Sequence, residues 1–200
     1  MPAATPDVKT LYVIDGYAQF FRAYHAIRSQ MTSPVTKEPT NMTFGFVGML
    51  LKLLRGEGKA FEGRRPDYVA IALDVSGDRG TFRSRVYPEY KATRTAPPED
   101  LAPQVDRCLA LLAEIGVPVL GAEGFEADDV IATLADRFCA TPGLRLRVIS
   151  KDKDLKQLLK DGCFELYDIH TDELIDTAAL MEETGLRPDQ VVDMLALMGD

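Results

Sequence analysis

The chain has few cysteines and histidines, and this scarcity argues against several kinds of site. Cys108, Cys139 and Cys163 are odd in number, widely spaced and set among apolar residues. They predict neither a disulfide framework nor a thiolate metal site, so we expect three small core residues. His25 and His170 are the only histidines, and neither has a partner at metal-ligand spacing. A zinc centre is therefore not expected.

The sequence also lacks a targeting or membrane-spanning segment. Its first ten residues have no basic region, and the apolar run from Leu11 to Ile14 is too short for a signal peptide or a membrane span. No internal repeat or low-complexity tract is present. The 200 residues, 46% of them hydrophobic and 27% charged, are typical of one sizeable globular domain. We expect a cytoplasmic protein.

Positive charge is scarce overall but locally concentrated. A formal net charge of -8 argues against a general nucleic-acid-binding surface, because phosphate affinity normally comes from clustered Lys and Arg. One basic stretch is nevertheless present, with Glu89 as the opposing acid within it. Its members, the candidate DNA contacts, are Arg79, Arg83, Arg85, Lys91 and Arg94.

Strand-like and helix-like segments alternate along the chain. Strands are predicted at residues 10–14, 67–74, 117–120, 144–150, 163–169 and 173–176. Helices are predicted at residues 17–27, 42–56 with Asn41 as the cap, 99–115 and 127–138, and two more begin at Thr177 and Pro188. Residues 75–98 are predicted as a long irregular segment. This alternation indicates an α/β fold, with a mostly parallel central sheet and helices on both faces.

Acidic residues stand where predicted strands end. Asp15, Asp74 and Asp152 each come just past the carboxyl end of a strand. The helix after another strand is opened by three further acids, Glu126, Asp128 and Asp129. Because ligands bind at that edge of an open parallel sheet, we expect these carboxylates to converge.

Converging carboxylates repel one another unless divalent cations supply compensating charge. Mg²⁺ fits best, because it prefers oxygen ligands and works with substrate phosphates. Two such ions about 3.5 to 4 Å apart can activate a water and stabilise the leaving oxygen of a phosphodiester. Lys91 and Arg94 are three apart and would share one side of a helix, where we expect them to stabilise the departing phosphate.

Each residue also has a simpler interpretation. Asp128 and Asp129 could complement a helix dipole, and Asp152 could be a helix N-cap. Lys91 and Arg94 are, in isolation, typical of a solvated face. Phe20, Phe21 and Phe44 are expected in the core rather than as platforms for base stacking. The acids at successive strand ends together favour the functional interpretation.

Several long blocks resemble the 5′-to-3′ exonuclease domain of bacterial DNA polymerase I. They are YVIDGYAQFFRAYHA, AIALDVSGDRGTFRSRVYPEYKATR, GFEADDVIATLA and SKDKDLKQLL, in family order from about Leu11 to Asp200. The resemblance implies a PIN-like (resolvase-like) 5′-nuclease core in the bacterial cytoplasm. Such enzymes cut 5′ flaps and 5′ ends near junctions of single- and double-stranded DNA.

The same resemblance implies roles for individual residues. One metal group would comprise Asp15, Asp74, Glu126, Asp128 and Asp129, and the other Asp152, Asp154 and Asp200. Arg83, Lys91 and Arg94 match the basic residues that engage the scissile phosphate, so they are the candidate catalytic residues. Residues 75–98 resemble a basic arch through which a 5′ strand passes. The expected cofactor is a pair of Mg²⁺ ions, for which Mn²⁺ can substitute.

The resemblance breaks off after Gly199 and Asp200, where the family continues with another metal-binding Asp and a helical hairpin that grips duplex DNA. We expect residues 1–200 to be the N-terminal core of a longer 5′-nuclease, with a polymerase domain as a candidate attachment. Two alternatives stay open. A curtailed relative could bind branched DNA without cutting it. A phosphohydrolase with an aspartyl nucleophile would typically carry a second Asp where this chain has Tyr17.

Overall fold

The structure is a computed structural model that describes residues 8–27, 29, 31–77 and 80–198. Six strands in this part of the chain form one sheet: β1 (Lys9–Asp15), β2 (Tyr68–Ala72), β3 (Val119–Leu120), β4 (Leu144–Ile149), β5 (Phe164–Asp168) and β6 (Glu173–Ile175). The α-helices are α1 (Gly16–Ala26), α2 (Asn41–Arg55), α3 (Phe82–Val86), α4 (Leu101–Glu114), α5 (Ala127–Cys139), α6 (Thr177–Thr184) and α7 (Val191–Met198). Short 3₁₀ turns lie at Lys59–Phe61, Asp154–Leu158 and Pro188–Gln190. No helix within the described ranges is long and apolar enough to cross a membrane.

The sheet is mostly parallel, as predicted. Its strand order is β3-β2-β1-β4-β5-β6, and only the β5–β6 pair is antiparallel. β2 and β3 lie on one side of β1, and β4 and β5, which come later in the chain, lie on the other side. The carboxyl end of β1 is therefore a topological switch point, where open α/β sheets form a ligand crevice. Asp15 is the last residue of β1.

Helices cover both faces of the sheet, and the alternation of side chains in β1 shows why. Tyr12 and Ile14 join one buried cluster, with residues from α1, α2 and α4. Leu11 and Val13 join a second cluster, with residues from α5, α6 and α7. Successive strand residues point to opposite faces, so an apolar run such as LYVI contributes to both cores. The predicted α/β class with helices on both faces is confirmed.

Local departures from the sequence-based prediction are small. The segment at 75–98 contains the short helix α3, whose preceding residue Thr81 accepts a hydrogen bond from the Ser84 backbone N–H. Asn41 is the first residue of α2 rather than its cap. Its side-chain amide donates to the Tyr24 carbonyl, and its oxygen accepts from Gln104. These partners are distant in sequence, so no local rule could find them.

Two expectations about the core are wrong. Cys139 and Cys163 form a disulfide that joins the end of α5 to the start of β5, while Cys108 is the one buried free thiol of the described residues. Phe20 is fully buried as expected, but Phe21 is 36% exposed and Phe44 is 63% exposed. Helix periodicity places Phe20 on the core side of α1, and Phe21, one residue further on, turns away from it.

Candidate metal centre

Asp15 sits at the end of the central strand and is 6% exposed. The Ser150 hydroxyl, which follows β4, donates a hydrogen bond to its Oδ2 at 2.7 Å. Burial raises the pKa of Asp15 to about 6; the Ser150 hydrogen bond works against that rise, and the nearby charges of Asp152 and Asp74 add to it. The parallel pairing of β1 with β4 brings these side chains together. Asp15 is thus a buried carboxylate in a negative environment.

Asp74 lies two residues beyond β2 and ties the loop there to α5. Its Oδ1 accepts a hydrogen bond from the backbone N–H of Ala127, the first residue of α5. The same loop is held a second time, because Ser76 Oγ accepts from the Gly124 backbone N–H at 2.7 Å. The Phe82 N–H in turn donates to the Gly124 carbonyl at 2.8 Å. These hydrogen bonds therefore hold the beginning of the 75–98 segment against the residues that precede α5.

The three acids at the start of α5 have different environments. Glu126 is the N-cap residue and is 5% exposed, and its backbone N–H donates to Asp129 Oδ2 at 3.0 Å. Asp128 is half-buried, and burial raises its pKa to about 7, helped by the charges of Asp15, Asp152, Asp74 and Glu126. Asp129 thus also contributes to the start of the helix, as the simpler interpretation proposed, whereas Asp128 lines a cavity together with Asp15, Asp74 and Asp152.

The loop after β4 carries the next two acids in a chain of hydrogen bonds. Ser150 Oγ accepts from the Asp152 backbone N–H at 3.1 Å, and Asp152 Oδ1 accepts from the Asp154 N–H at 2.8 Å. Asp154 is the first residue of the 3₁₀ turn Asp154–Leu158. Ser150 therefore bridges Asp15 to the loop that holds Asp152.

Two basic side chains from the 75–98 segment are paired with these acids. Arg83 makes a bidentate contact with Asp129, at 2.6 and 2.8 Å, and lowers the pKa of that carboxyl. Lys91 Nζ lies 2.9 Å from Glu126 Oε1, and the Tyr90 hydroxyl donates to Oε2 of the same residue at 3.2 Å. Burial alone would lower the pKa of Lys91, but the bond and charge of Glu126 outweigh it and raise that pKa. Lys91 also holds a left-handed backbone with φ of 55°.

The predicted residues line two adjoining cavities, each of about 210 Å³, that share Glu126 and Asp128. One cavity is lined by the shared pair together with Asp15, Asp74, Asp152, Lys91 and Arg94. The other is lined by the shared pair together with Asp129, Asp154, Arg83 and Tyr90. The segment holding Lys91 and Arg94 is a series of turns rather than a helix, and both residues nevertheless line the same cavity.

Of the described predicted residues, Arg85 lines neither cavity. Arg85 is exposed, and its guanidinium contacts the Gly80 carbonyl at 3.4 Å. Arg79 and Asp200 lie outside the described residues. Ser150 and Tyr90 were missed by sequence reasoning. A hydroxyl next to a strand end and a tyrosine beside a predicted catalytic lysine are their only local signals, and both are weak.

The donor set fits a hard divalent cation. The acids offer oxygen ligands alone. Burial, with a further contribution from neighbouring carboxylates, raises the pKa values of Asp15 and Asp128, and a bound cation would favour their charged forms. Among the described residues, no three acidic, histidine or cysteine side chains are already arranged around one point as ligands. Two of the acids are not arranged as metal ligands because basic side chains already act as their counter-charges: Lys91 pairs with Glu126, and Arg83 pairs with Asp129. A metal ion that binds Glu126 or Asp129 would compete with Lys91 or Arg83 for that carboxylate.

The sequence of this chain matches a known protein family. Residues 10–185 match the model of the 5′–3′ exonuclease N-terminal, resolvase-like domain. The chain belongs to this family. The 5′–3′ exonuclease family is a family of nucleases, and it includes domains of DNA polymerase I as well as proteins named simply as exonucleases.

Individual members show how far the similarity extends. The chain is 40% identical over 194 residues to DNA polymerase I of Mycobacterium tuberculosis, covering 96% of this chain but 20% of that protein. It is 34% identical over 193 residues to the 5′–3′ exonuclease of Aquifex aeolicus, covering 96% of this chain and 62% of the relative. A crystal structure of a bacteriophage T5 flap endonuclease variant with DNA and metal ions shares the fold, with a TM-score of 0.63 and 23% identity over 96% of this chain and 67% of that one. The chain thus spans about a fifth of the polymerase it matches.

Proposed function

We propose that this chain is the metal-binding core of a structure-specific 5′–3′ exonuclease and 5′-flap endonuclease that hydrolyses DNA phosphodiester bonds in replication and repair. One observation carries the proposal: carboxylates at the end of β1, in the loops after β2 and β4, and at the start of α5 line the same cavity as Lys91 and Arg94. The T5 flap endonuclease structure, which shares this fold, holds DNA and metal ions. Because the substrate is DNA, we place its action in the bacterial cytoplasm as part of the same proposal.

Asp15, Asp74, Glu126, Asp128 and Asp152 would hold divalent ions, with Asp129, Asp154 and Asp200 completing the set. We propose Mg²⁺, with Mn²⁺ as a substitute, because these ions accept carboxylate oxygens and retain waters. When bound, two such ions lower the pKa of a water and neutralise the scissile phosphate. The carboxylates fix the ions, and no protein nucleophile is needed.

The chain's own cations act on the DNA. In the structure described above, Lys91 is paired with Glu126, and Arg83 with Asp129. If metal ions take over the charge of these acids, both cations become available to the scissile phosphate, with Arg94 beside Lys91. A cation placed on the departing oxygen stabilises the charge that develops there. Residues 75–98 would form the basic arch over the 5′ strand, with Arg79 and Arg85 as further contacts to DNA.

The test is cleavage of a 5′-flap DNA by this chain and by its Asp128→Asn variant, in Mg²⁺ and in chelator. Asp136→Asn is the matched control, since Asp136 is exposed on the same helix and does not line the two cavities. We expect metal-dependent product from the wild type and the control, and at least a hundredfold loss for Asp128→Asn. Titration of Mg²⁺ by calorimetry supplies a readout besides activity. Cleavage that is unchanged in chelator would contradict the proposal.

A second candidate is a module that binds branched DNA without cutting it. The internal pairing of Arg83 with Asp129 and of Lys91 with Glu126 favours it, because these two acids already have counter-charges without metal. Flap binding and cleavage measured on the same sample separate the two functions. Binding of flap DNA without metal-dependent product would support this second candidate.

A further inference from the structure

A second charged pocket lies at the opposite, amino edge of the sheet, away from the carboxylates. It has a volume of about 310 Å³ and is lined by the first residues of β1, by the turn Lys59–Phe61, by the loop before β2 and by β4. Four arginines line it: Arg64, Arg65, Arg145 and Arg147. Nothing in the proposed nuclease chemistry uses this edge, since the metal-site residues follow the strands rather than precede them.

Two of these arginines are unusual because they belong to a central strand. Arg145 and Arg147 alternate along β4, which lies between β1 and β5, and they pair in register with Thr10 and Tyr12. Central strands of parallel sheets are normally apolar, because helices cover both of their faces. Burying a guanidinium is costly unless it is paired and hydrogen-bonded. Arg145 and Arg147 differ in how far their guanidinium groups are hydrogen-bonded.

Arg147 is fully satisfied by the protein. It is 4% exposed, and its Nε and Nη2 donate to Glu165 Oε2 at 3.0 and 2.6 Å. Its Nη1 donates to the Tyr12 hydroxyl at 2.9 Å and to the Ala60 carbonyl. Arg147 therefore has a structural role as one wall of the pocket.

Arg145 is not fully satisfied. Its Nε is one of the two buried side-chain polar atoms of the described residues that have no hydrogen-bond partner. A buried donor left unpaired costs about 1 to 3 kcal/mol. The acids nearest the pocket are largely engaged, because Asp67 accepts from Lys9 and from the Thr10 N–H, both at 3.0 Å, and Glu165 holds Arg147. Glu62 is the remaining acid of the lining.

We propose that this pocket binds a small phosphate-bearing anion, with Arg145 as the principal contact and Arg65 at the rim. The planar fork of donors on Arg matches phosphate oxygens, and four arginines line this pocket. A turn of the Arg145 side chain toward a bound anion would give its buried, unpaired Nε an acceptor. The volume is within the range of small-ligand sites. Free phosphate and the phosphate of a mononucleotide share this chemistry, and the test separates them.

The experiment is calorimetric titration of the chain with inorganic phosphate, pyrophosphate and deoxyadenosine monophosphate, at low ionic strength. Chelator is present throughout, so that anions cannot bind through a metal ion at the other edge. We expect a dissociation constant of about 1 mM or tighter for at least one probe. A nucleotide that binds tighter than both inorganic anions identifies a nucleotide site, and equal or weaker binding identifies a free-anion site.

Variants tie the binding to this pocket. Arg145→Gln should weaken it at least tenfold, and Arg65→Gln about threefold; because Arg65 is exposed, the second variant remains informative if the first fails to fold. Arg137→Gln is the control, since Arg137 is an exposed arginine on α5 outside this pocket and its loss changes the net charge equally. No binding by wild type up to about 10 mM would overturn the proposal. So would equal affinities in the control and both pocket variants.

Discussion

Arg83 donates hydrogen bonds to both carboxylate oxygens of Asp129, which lies 46 residues further along the chain. Nη1 lies 2.6 Å from Oδ2 and Nη2 lies 2.8 Å from Oδ1. The contact joins the 75–98 segment to the start of α5, where the N-cap residue Glu126 and the first-turn residues Asp128 and Asp129 lie. The pair also reaches Glu126, whose Oε2 lies 3.7 Å from Arg83 Nη1. One ion pair therefore connects the proposed arch to the proposed metal ligands.

Loss of the Arg83–Asp129 ion pair should raise the pKa of the Asp129 carboxyl. Arg83 lowers the pKa of Asp129, so Arg83→Gln should return that pKa toward its ordinary value of 3.8. Carbon-detected NMR of the Asp129 carboxyl measures this change. In flap cleavage we expect the same variant to lose about tenfold or more in kcat/KM. Arg85→Gln, two residues further along α3 and exposed, is the control for the titration and should leave the pKa of Asp129 unchanged.

Ser150→Ala tests the bridge between Asp15 and the Asp152 loop. The hydroxyl donates to Asp15 and accepts from the Asp152 N–H, so its removal takes one hydrogen bond from the buried Asp15 carboxylate and one from the Asp152 N–H. We expect the free energy of unfolding to fall by about 1 to 2 kcal/mol and Mg²⁺ affinity to fall about tenfold. Urea unfolding and calorimetry measure the two effects. Ser150→Thr retains the hydroxyl, and failure of that variant to restore metal affinity would count against the bridge.

Asp128→Asn should stabilise the metal-free chain while abolishing cleavage. The folded-state pKa of Asp128 is raised from 3.8 to about 7, so a proton binds the native state more tightly than the unfolded state. The carboxylate therefore lowers stability increasingly as the pH rises from about 4 to 7, and fully above pH 7. In chelator at pH 8 we expect the variant to gain about 1 to 3 kcal/mol over wild type.

The same comparison at pH 4 to 5 should show most of that gain gone, because wild-type Asp128 is then protonated in the native state. Asp136→Asn, an exposed change on α5, should show no such pH-dependent gain. A variant that is less stable than wild type at pH 8 would contradict the electrostatic account.

The Cys139–Cys163 disulfide should stabilise the fold in oxidising buffer and not in reducing buffer. Cys139 and Cys163 are 24 residues apart, and the closed loop contains β4, Asp152 and Asp154. Closing a loop of this size stabilises a protein by about 2 to 4 kcal/mol. We expect Cys163→Ser to lower stability by that amount in oxidising buffer and much less in dithiothreitol. Cys108→Ser, which removes the free thiol, should not show this dependence on the redox state.

Local patterns in the sequence determined the class of fold and the main acids of the site. Alternating strand and helix periods specify a parallel sheet covered on both faces, and parallel strands bring their carboxyl ends to one edge by geometry alone. Asp15, Asp74 and Asp152 could therefore be placed together although they are far apart in the chain. Their roles as metal ligands remain a prediction.

Contacts between distant segments were decided by the tertiary structure. The pairing of Arg83 with Asp129, the bridge made by Ser150, and the disulfide of Cys139 with Cys163 depend on how loops and helix ends pack, which no local period encodes. The unpaired Arg145 Nε is a further example. Arginine is usually exposed, and this atom becomes buried only when the neighbouring segments pack around it. The position of a residue at the end of a predicted strand specifies which edge of the sheet it occupies. The packing of loops and helix ends determines which side chains it contacts there.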